Sequence, residues 1–364
     1  MIKLFNVFVA EDVDQALLET LHSGYITQGQ KVEEFEQAFG EYVGNPLAVS
    51  VNSCTSALTL ALRLSNVGYG DEVITTPMTC SATNLPILSL GAMPVFADID
   101  PKTGLIDPES VKRLITTKTK AIVATDWGGA PVDVQALRNM TGFIKIIVDS
   151  AHALGATHNA TPDFQCFSLQ AIKHLTTGDG GFLMCSNEED YIRAKKLRWF
   201  GISRNPDSKD TRIDEDITEW GYKFHMNDLV ATIGLEQLKH ISFVAGAYKA
   251  NALYYNRVLN SDVFGKPPIK DNAYWIYTIT LPNKVARDKF KDYMLANKIQ
   301  VSEVHRRNDE YSVFKPFKKS RLPGVDAFSR TMVAIPCHWA LTAKEVVYIA
   351  NTMDKFVNEF RQYL

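Results

Sequence analysis

The order of elements predicts an α/β fold: a large domain on a mainly parallel, mixed sheet covered by helices, then a smaller C-terminal α+β domain. Three observations carry this. Short apolar strands alternate with helical stretches over about two hundred residues, the signature of a helix-covered parallel sheet. Two apolar runs, 164–169 and 182–186, are separated only by a short polar loop, which predicts an antiparallel pair within that sheet. After a charged, aperiodic stretch from Arg204 to Trp220, read as a surface loop, the chain resumes with long helices and a second, shorter strand–helix set. A chain of 364 residues accommodates two such units. The expected domains are 1–245 and 246–364.

Each element has its own signal. Glu11 to His22 has helical apolar spacing and stops before Gly24, a C-terminal glycine. Tyr25 to Gly29 reads as a loop. Val32, Phe35, Phe39 and Tyr42 form one stripe of a second helix ending near Val43. Leu47 to Val51 is a strand, and the turn Asn52-Ser53-Cys54-Thr55-Ser56 opens the helix Ala57 to Leu64. Strands follow at 72–75, 94–97, 120–125 and 145–148. Helices lie between them at 82–90 and 132–140, and another starts at Asp107-Pro108-Glu109 with a capping Asp and a first-position proline. Asn187 caps a helix to Trp199, Asn227 caps one to about His240, and a long helix continues through Leu259. The smaller unit is read as a strand at 274–281, a helix at 285–296, a strand at 299–304 and an amphipathic C-terminal helix at 343–363.

Composition narrows the function classes. The chain is 46% hydrophobic and 22% charged with a net charge of −2, so nothing points to nucleic acid or an anionic membrane as partner. Five scattered cysteines without a CxxC pair read as reduced thiols and point to the cytoplasm, not to a disulfide or zinc framework. No stretch reaches membrane-spanning length, and the N-terminus lacks the pattern of a signal peptide.

The chemistry concentrates between Asp149 and Gly181. An acid, Asp149, ends the apolar run Ile146-Ile147-Val148. A serine follows at Ser168, a lysine at Lys173, and then the glycine-rich turn Gly178-Asp179-Gly180-Gly181. Pyridoxal phosphate needs such a set: a lysine for its aldehyde and a carboxylate for its ring nitrogen. Ala151 is small enough for a ring to lie flat against the backbone, and His152 is placed to reach the ring's phenolic oxygen. The turn at Cys54, Thr55 and Ser56 lies between a strand and a helix, where free amides suit a phosphate. It also reads as simple capping by Thr55 or Ser56, and it lacks the glycines of a Walker or Rossmann loop.

The motifs resolve that ambiguity. VDSAHALG followed by SLQAIKHLTTGDGG resembles the pattern E-D-x-A-Q/H-A-x-G, then S-F-x-A-x-K-x-x-x-x-G-x-G-G, of the DegT/DnrJ/StrS family of sugar-nucleotide aminotransferases, a branch of the fold-type I pyridoxal phosphate enzymes. SGYITQGQKVEEFEQAF, VNSCTSALTLAL, GDEVITTP, GAMPVFADID, MNDLVATIGLEQL, AYWIYTITL and IPCHWALT fall in family order along most of the chain.

The resemblance implies pyridoxal 5′-phosphate, alternating with its pyridoxamine form, as cofactor. Lys173 would hold its aldehyde as a Schiff base and move protons in catalysis. Asp149 would pair with the ring nitrogen and His152 would stand near the ring oxygen. Thr55, Ser56 and Ser168 would bind phosphate. L-Glutamate would be the donor and a nucleotide-linked keto-sugar, a 4-keto-6-deoxyhexose, the acceptor, in a homodimer with active sites at the interface. Two positions depart from the pattern. Cys80 stands where the family has an aromatic that stacks on the cofactor. Lys223 stands where it has an asparagine that reaches phosphate from the partner subunit; a lysine can serve there with a full charge. Candidates for the sugar nucleotide are the loops Tyr25 to Gln28, Trp127 to Gly129 and His305 to Asn308, with Tyr25, His305 and Arg307 foremost. Dehydratases of the same fold carry a histidine in place of the lysine, so Lys173 argues against that activity. Intact Asp149, Ser168 and Lys173 argue against a catalytically weak, cofactor-binding regulator.

Overall fold

A computed structural model describes residues 1–203, 216–318 and 321–364. Most of the charged loop expected from Arg204 to Trp220 lies outside the described residues. The large unit is a seven-stranded sheet built from β1 (Ala48–Val51), β2 (Glu72–Thr75), β3 (Met93–Phe96), β4 (Thr119–Thr125), β5 (Lys145–Asp149), β6 (Phe164–Ser168) and β7 (Gly181–Cys185). Their spatial order is β1-β7-β6-β5-β4-β2-β3. Strand β7 runs antiparallel to both its neighbours, and the other described pairings are parallel. The mixed sheet expected from the short Lys173 loop is thus present.

Alternate side chains along each strand point to opposite faces, and both faces are covered. On one face Val49, Val51, Val73, Val123, Ile147, Phe164 and Leu183 pack with α3 (Cys54–Leu64), α4 (Ser81–Ser89) and α7 (Glu188–Leu197). On the other, Phe167, Phe182 and Met184 meet α2 (Gln30–Val43) and α8 (Asp228–Leu238). Farther along that face, Ile74, Ile122, Ala124, Ile146 and Val148 meet α5 (Pro108–Leu114) and α6 (Val134–Thr141). Burial on both faces explains why these strands are continuous apolar runs in the sequence. Helix α1 (Asp12–His22) lies on α8.

The C-terminal unit has its own core. Helices α9 (Ile241–Val258), α10 (Lys284–Ala296) and α12 (Ala343–Glu359) pack around an antiparallel pair, β8 (Tyr277–Thr280) and β9 (Met332–Ile335). The boundary expected between 245 and 246 falls inside α9, one continuous helix. Helix α11 (Pro323–Thr331) and β9 were not foreseen, although Pro323 at the first helical turn and the apolar run from Met332 to Ile335 mark them.

The strand expected at 299–304 does not form. Ile299 makes only a bridge to Ile2, and Ser302 only one to Ala334. The N-terminal segment takes the backbone groups flanking Ile299: Ile2 N donates to Lys298 O at 2.8 Å and Gln300 N to Ile2 O at 2.9 Å. Val304 has φ 59°, a conformation that ends an extended run and is costly for a β-branched residue. Strand β8 starts at Tyr277 instead of 274 for a related reason, since Tyr274 has φ 54°.

Candidate active site

Asp149 ends β5, at the carboxyl edge where ligands collect in open α/β sheets. It is 4% exposed, and its carboxylate is fixed by its neighbours. Thr83 Oγ1 donates to Oδ2 at 2.7 Å, and the Ala151 amide donates to Oδ1 at 3.1 Å. The Cys54 thiol lies 3.8 Å from Oδ1. Behind Thr83 stands a chain of hydroxyls: Thr83 to Thr79 at 2.8 Å, and Thr125 to Thr79 at 3.1 Å. Burial pushes the Asp149 pKa up, against the pull of the Thr83 and Ala151 hydrogen bonds and of Lys173.

Lys173 lies in the loop between β6 and β7. Its amide donates to Gln170 O at 2.9 Å. Burial lowers its amine pKa to about 8, and the nearby Asp149, Cys54 and Cys80 act in the opposite direction. Nζ sits 3.6 Å from the centre of the Trp275 ring. Trp275 comes from the C-terminal unit, where its indole N–H donates to Ile172 O at 2.8 Å. The His152 ring stacks on Trp275 at 3.9 Å, and the His305 ring lies parallel to His152 at 5.5 Å. Trp127 meets both histidines edge-on. Nδ1 of His152 and Nε2 of His305 are buried without a hydrogen-bond partner. Burial and the Lys173 charge hold both imidazoles neutral: His152 is pushed well below the usual histidine range, and His305 down to about 4.

The third component is the N-terminus of α3. Its cap is Ser53, not Thr55 or Ser56: Ser53 Oγ accepts from the Ser56 amide at 3.1 Å. The Ser56 hydroxyl donates to Asn52 Oδ1 at 2.6 Å, while Thr55 is exposed. The helix end approaches β7 closely because residue 181 is glycine. A Cβ there would stand 2.6 Å from the Cys54 nitrogen and 2.7 Å from Phe167 O. Ser168, half-buried at the end of β6, faces Gly181 across the pair and accepts from the Gln170 amide at 3.3 Å. The Gly178–Gly181 turn therefore closes the Lys173 loop against the start of α3.

The structure thus gathers Lys173, Asp149, Ala151, His152, Cys54, Cys80 and His305 in one place, with Ser168 and the Thr55–Ser56 turn at its edge. It treats other expected residues differently. Arg307 is buried with its guanidinium committed: it donates to both oxygens of Asp309, at 2.6 and 2.7 Å, and to Asp326. Its charge is thus engaged by carboxylates of the same chain. Asn308 is also internal, donating to Thr79 O at 2.8 Å and accepting from Asn84 at 2.9 Å. The Trp127–Gly129 loop is buried as well, because Gly128 and Gly129 receive the segment 272–276: Ala273 N donates to Gly129 O at 2.9 Å. Tyr25 is exposed, its ring over Gly29 at the start of α2. Lys223 is exposed, and its backbone runs beside the turn, with Asn52 N donating to the adjacent Phe224 O at 2.7 Å.

Two contributors, Thr83 and Trp275, escaped the sequence reading, and Asn308 was expected only as part of a sugar-nucleotide loop. Thr83 and Asn308 act through contacts 66 and 229 residues away in sequence, which no local pattern discloses. Trp275 sits in the motif AYWIYTITL, where it reads only as a strand residue.

Known proteins share this fold. The sugar aminotransferase CalS13 from Micromonospora echinospora superposes with a TM-score of 0.91 and 34% identity, covering 98% of this chain and 100% of that one. Spr1654 from Streptococcus pneumoniae, solved in PMP and PLP forms, superposes with TM-scores of 0.91 and 0.89 at 27% identity, over 98% or more of both chains. The fold is that of the fold-type I pyridoxal phosphate aminotransferases. The UDP-4-amino-4-deoxy-L-arabinose–oxoglutarate aminotransferase of Shewanella sediminis is 34% identical over 71% of this chain and 69% of its own length. The model of the DegT/DnrJ/EryC1/StrS aminotransferase family matches residues 8–354, and with a sugar aminotransferase architecture end to end, the chain belongs to that family.

Proposed function

We propose that this protein transfers the amino group of L-glutamate to a nucleotide-linked keto-sugar, a 4-keto-6-deoxyhexose, with pyridoxal 5′-phosphate held through Lys173. The observation that carries the reading is the meeting of a half-buried lysine, its amine pKa lowered, with the buried Asp149 carboxylate at the carboxyl ends of the strands. The relative from Shewanella, named for oxoglutarate and a UDP-linked amino sugar, supports the donor and the substrate class. The domain division at about residue 245 belongs to the same reading, as does a homodimer in which Lys223 of one subunit serves the other.

The residues fit the cofactor. The hydrogen bonds to Asp149 among the described residues come from neutral donors, Thr83, Ala151 and Cys54. A buried carboxylate so arranged favours a cationic N–H as its further partner. His152 has an unpaired Nδ1 for a ring oxygen. The start of α3 offers amides and its dipole to a phosphate, with Thr55, Ser56 and Ser168 around it. When bound, pyridoxal phosphate supplies an aldehyde for amines and a ring that accepts carbanion electrons. Asp149 holds the charge opposite the ring nitrogen, and Ala151 leaves room for a flat ring. With the cofactor bound, Lys173 Nζ would be the base placed to take the proton from the substrate's nitrogen-bearing carbon. A pKa of about 8 makes the neutral base available near neutral pH. For the sugar nucleotide the reading keeps Tyr25 and His305 and omits Arg307.

The test uses purified protein and visible-edge absorbance. L-Glutamate should convert the absorbance to that of the amine form, and a panel of keto-sugar nucleotides should show which acceptor restores it. Cofactor absorbance that responds to no amino donor would overturn the reading. Lys173→Ala should abolish the adduct fixed by borohydride; an adduct that persists would place the aldehyde on another lysine.

A further inference from the structure

Trp275 stands out because its position is set from three sides. Its N–H is bonded to Ile172 O, in the lysine's own loop. Its ring stacks on Phe5 at 5.1 Å and on His152 at 3.9 Å. It follows Tyr274, a non-glycine residue at φ 54°, buried and held there by a 2.7 Å hydrogen bond from its amide to Asn272 Oδ1. Strained backbone persists where the surroundings over-determine it, and such positions cluster at functional sites. The result of this arrangement is an indole face 3.6 Å from Lys173 Nζ. Among the described residues no carboxylate forms an ion pair with that amine, and the aromatic face lies directly against it.

We propose that Trp275 is a positioning residue for Lys173: its ring docks the free ammonium by a cation–π contact, and its bond to Ile172 ties that dock to the lysine loop. The inference rests on the reading of Lys173 as the reactive amine. In a transamination cycle the lysine is released while the substrate carries the nitrogen. A long, flexible amine released in the site needs a place to wait, and the nearby Asp149 carboxylate offers a competing ion pair. The indole holds the amine without an anion that would raise its pKa strongly. The groups that face Lys173 otherwise are Asp149, Cys54 and Cys80, which favour its charged form, and His152, His174 and His305, whose imidazoles are neutral.

The experiment measures Lys173 directly, apart from turnover. Cofactor-free protein is exposed briefly to pyridoxal 5′-phosphate, trapped with borohydride, and the Lys173 peptide is quantified by mass spectrometry across about pH 6 to about pH 10, a span that brackets the shifted and ordinary lysine ranges. The neutral amine reacts, so the midpoint reports its pKa. Removing the ring in Trp275→Leu removes a contact that favours the cation, and the midpoint should fall by about half to one and a half pH units. Trp275→Phe keeps a weaker face and should fall less; it also serves if the leucine variant does not fold. An unchanged midpoint in both variants overturns the proposal. So does a rise toward the ordinary lysine value, which would mean that Trp275 only keeps water out. If Lys173 is not labelled in the wild-type protein, the assignment of the reactive lysine fails instead, and the two failures are distinct.

Discussion

Gly181 and Cys54 are in backbone contact: a Cβ on residue 181 would stand 2.6 Å from the Cys54 amide nitrogen. The antiparallel strand that follows the lysine loop is thereby pressed against the first turn of α3. This relationship unites the two halves of the proposed site, since one carries the amine and the other the amides proposed to hold phosphate.

Gly181→Ala should therefore act on both stability and cofactor binding. The clash is with backbone on both sides, Cys54 N, Ser53 C and Phe167 O, so no side chain can swing away. Overpacking of this kind costs about 1–3 kcal/mol. The expected outcome is a lower midpoint in urea unfolding together with weaker retention of pyridoxal 5′-phosphate on dialysis. Loss of stability with cofactor affinity unchanged would separate α3 from the phosphate site.

Asp149 and Thr83 should behave as one unit of graded strength. Asp149→Asn keeps shape and removes the charge opposite the ring nitrogen; electrostatic deletions in enzyme sites cost about a hundredfold or more in rate. Thr83→Val removes a 2.7 Å hydrogen bond to the same carboxylate, and bonds to charged groups are worth about 1.5–3 kcal/mol, so the loss is smaller, roughly tenfold to a hundredfold. Single-turnover conversion of bound cofactor by L-glutamate measures both. Equal activity of Thr83→Val and wild type would show that Asp149 needs no such support.

How much of this was legible in the sequence depends on the range of each interaction. The strands, the antiparallel β6–β7 pair and the caps at Asp107, Asn187 and Asn227 were readable, because apolar period and capping chemistry are local. The candidate amine and acid were readable because they lie 24 residues apart in one motif-bearing stretch. The partners that tune them were not. Thr83 and Trp275 reach the stretch from separate elements, and only the sheet order and the seating of the C-terminal unit bring them in. Arg307 shows the same physics: its loop is polar in sequence, but Asp309 is two residues away and Asp326 nineteen, and the fold turns the cluster inward. The strand expected at 299–304 failed because its backbone partners come from Ile2 and Ala334, at the far ends of the chain.

Lys223 tests the subunit arrangement. Its side chain is exposed while its backbone borders the Asn52 turn. If it serves a partner's phosphate, Lys223→Ala should weaken cofactor retention by about tenfold, the worth of one charge-assisted contact, without changing thermal stability of the cofactor-free protein. Mixing Lys223→Ala with Lys173→Ala subunits should then yield hybrid dimers in which both intact lysines fall in one site and the other site lacks both. Unchanged retention in Lys223→Ala would make this lysine a solvated surface charge.

The last prediction concerns pH and the network beneath Asp149. Asp126, fully buried, accepts from Ser150 Oγ at 2.6 Å and from the Val132 amide at 2.8 Å, and both its oxygens lie 3.0 Å from His158 Nε2. Burial pulls the His158 pKa down, but the charge of Asp126 and its hydrogen bond outweigh this, and the net shift is upward. A histidine whose folded pKa is raised contributes stability that is complete below its unfolded value, about 6.5, and is lost as pH rises through the folded pKa. Wild-type protein should therefore lose part of its unfolding free energy above about pH 6.5. His158→Gln can keep a hydrogen bond to Asp126 without a titrating charge, so this component of the pH dependence should vanish, leaving the variant closest to wild type at high pH. His158→Ala should cost about 1–3 kcal/mol at low pH, where the charged bond is intact. Urea unfolding of the three proteins across this range is the measurement. A wild-type curve parallel to that of His158→Gln would mean that the ion pair between His158 and Asp126 does not form in solution.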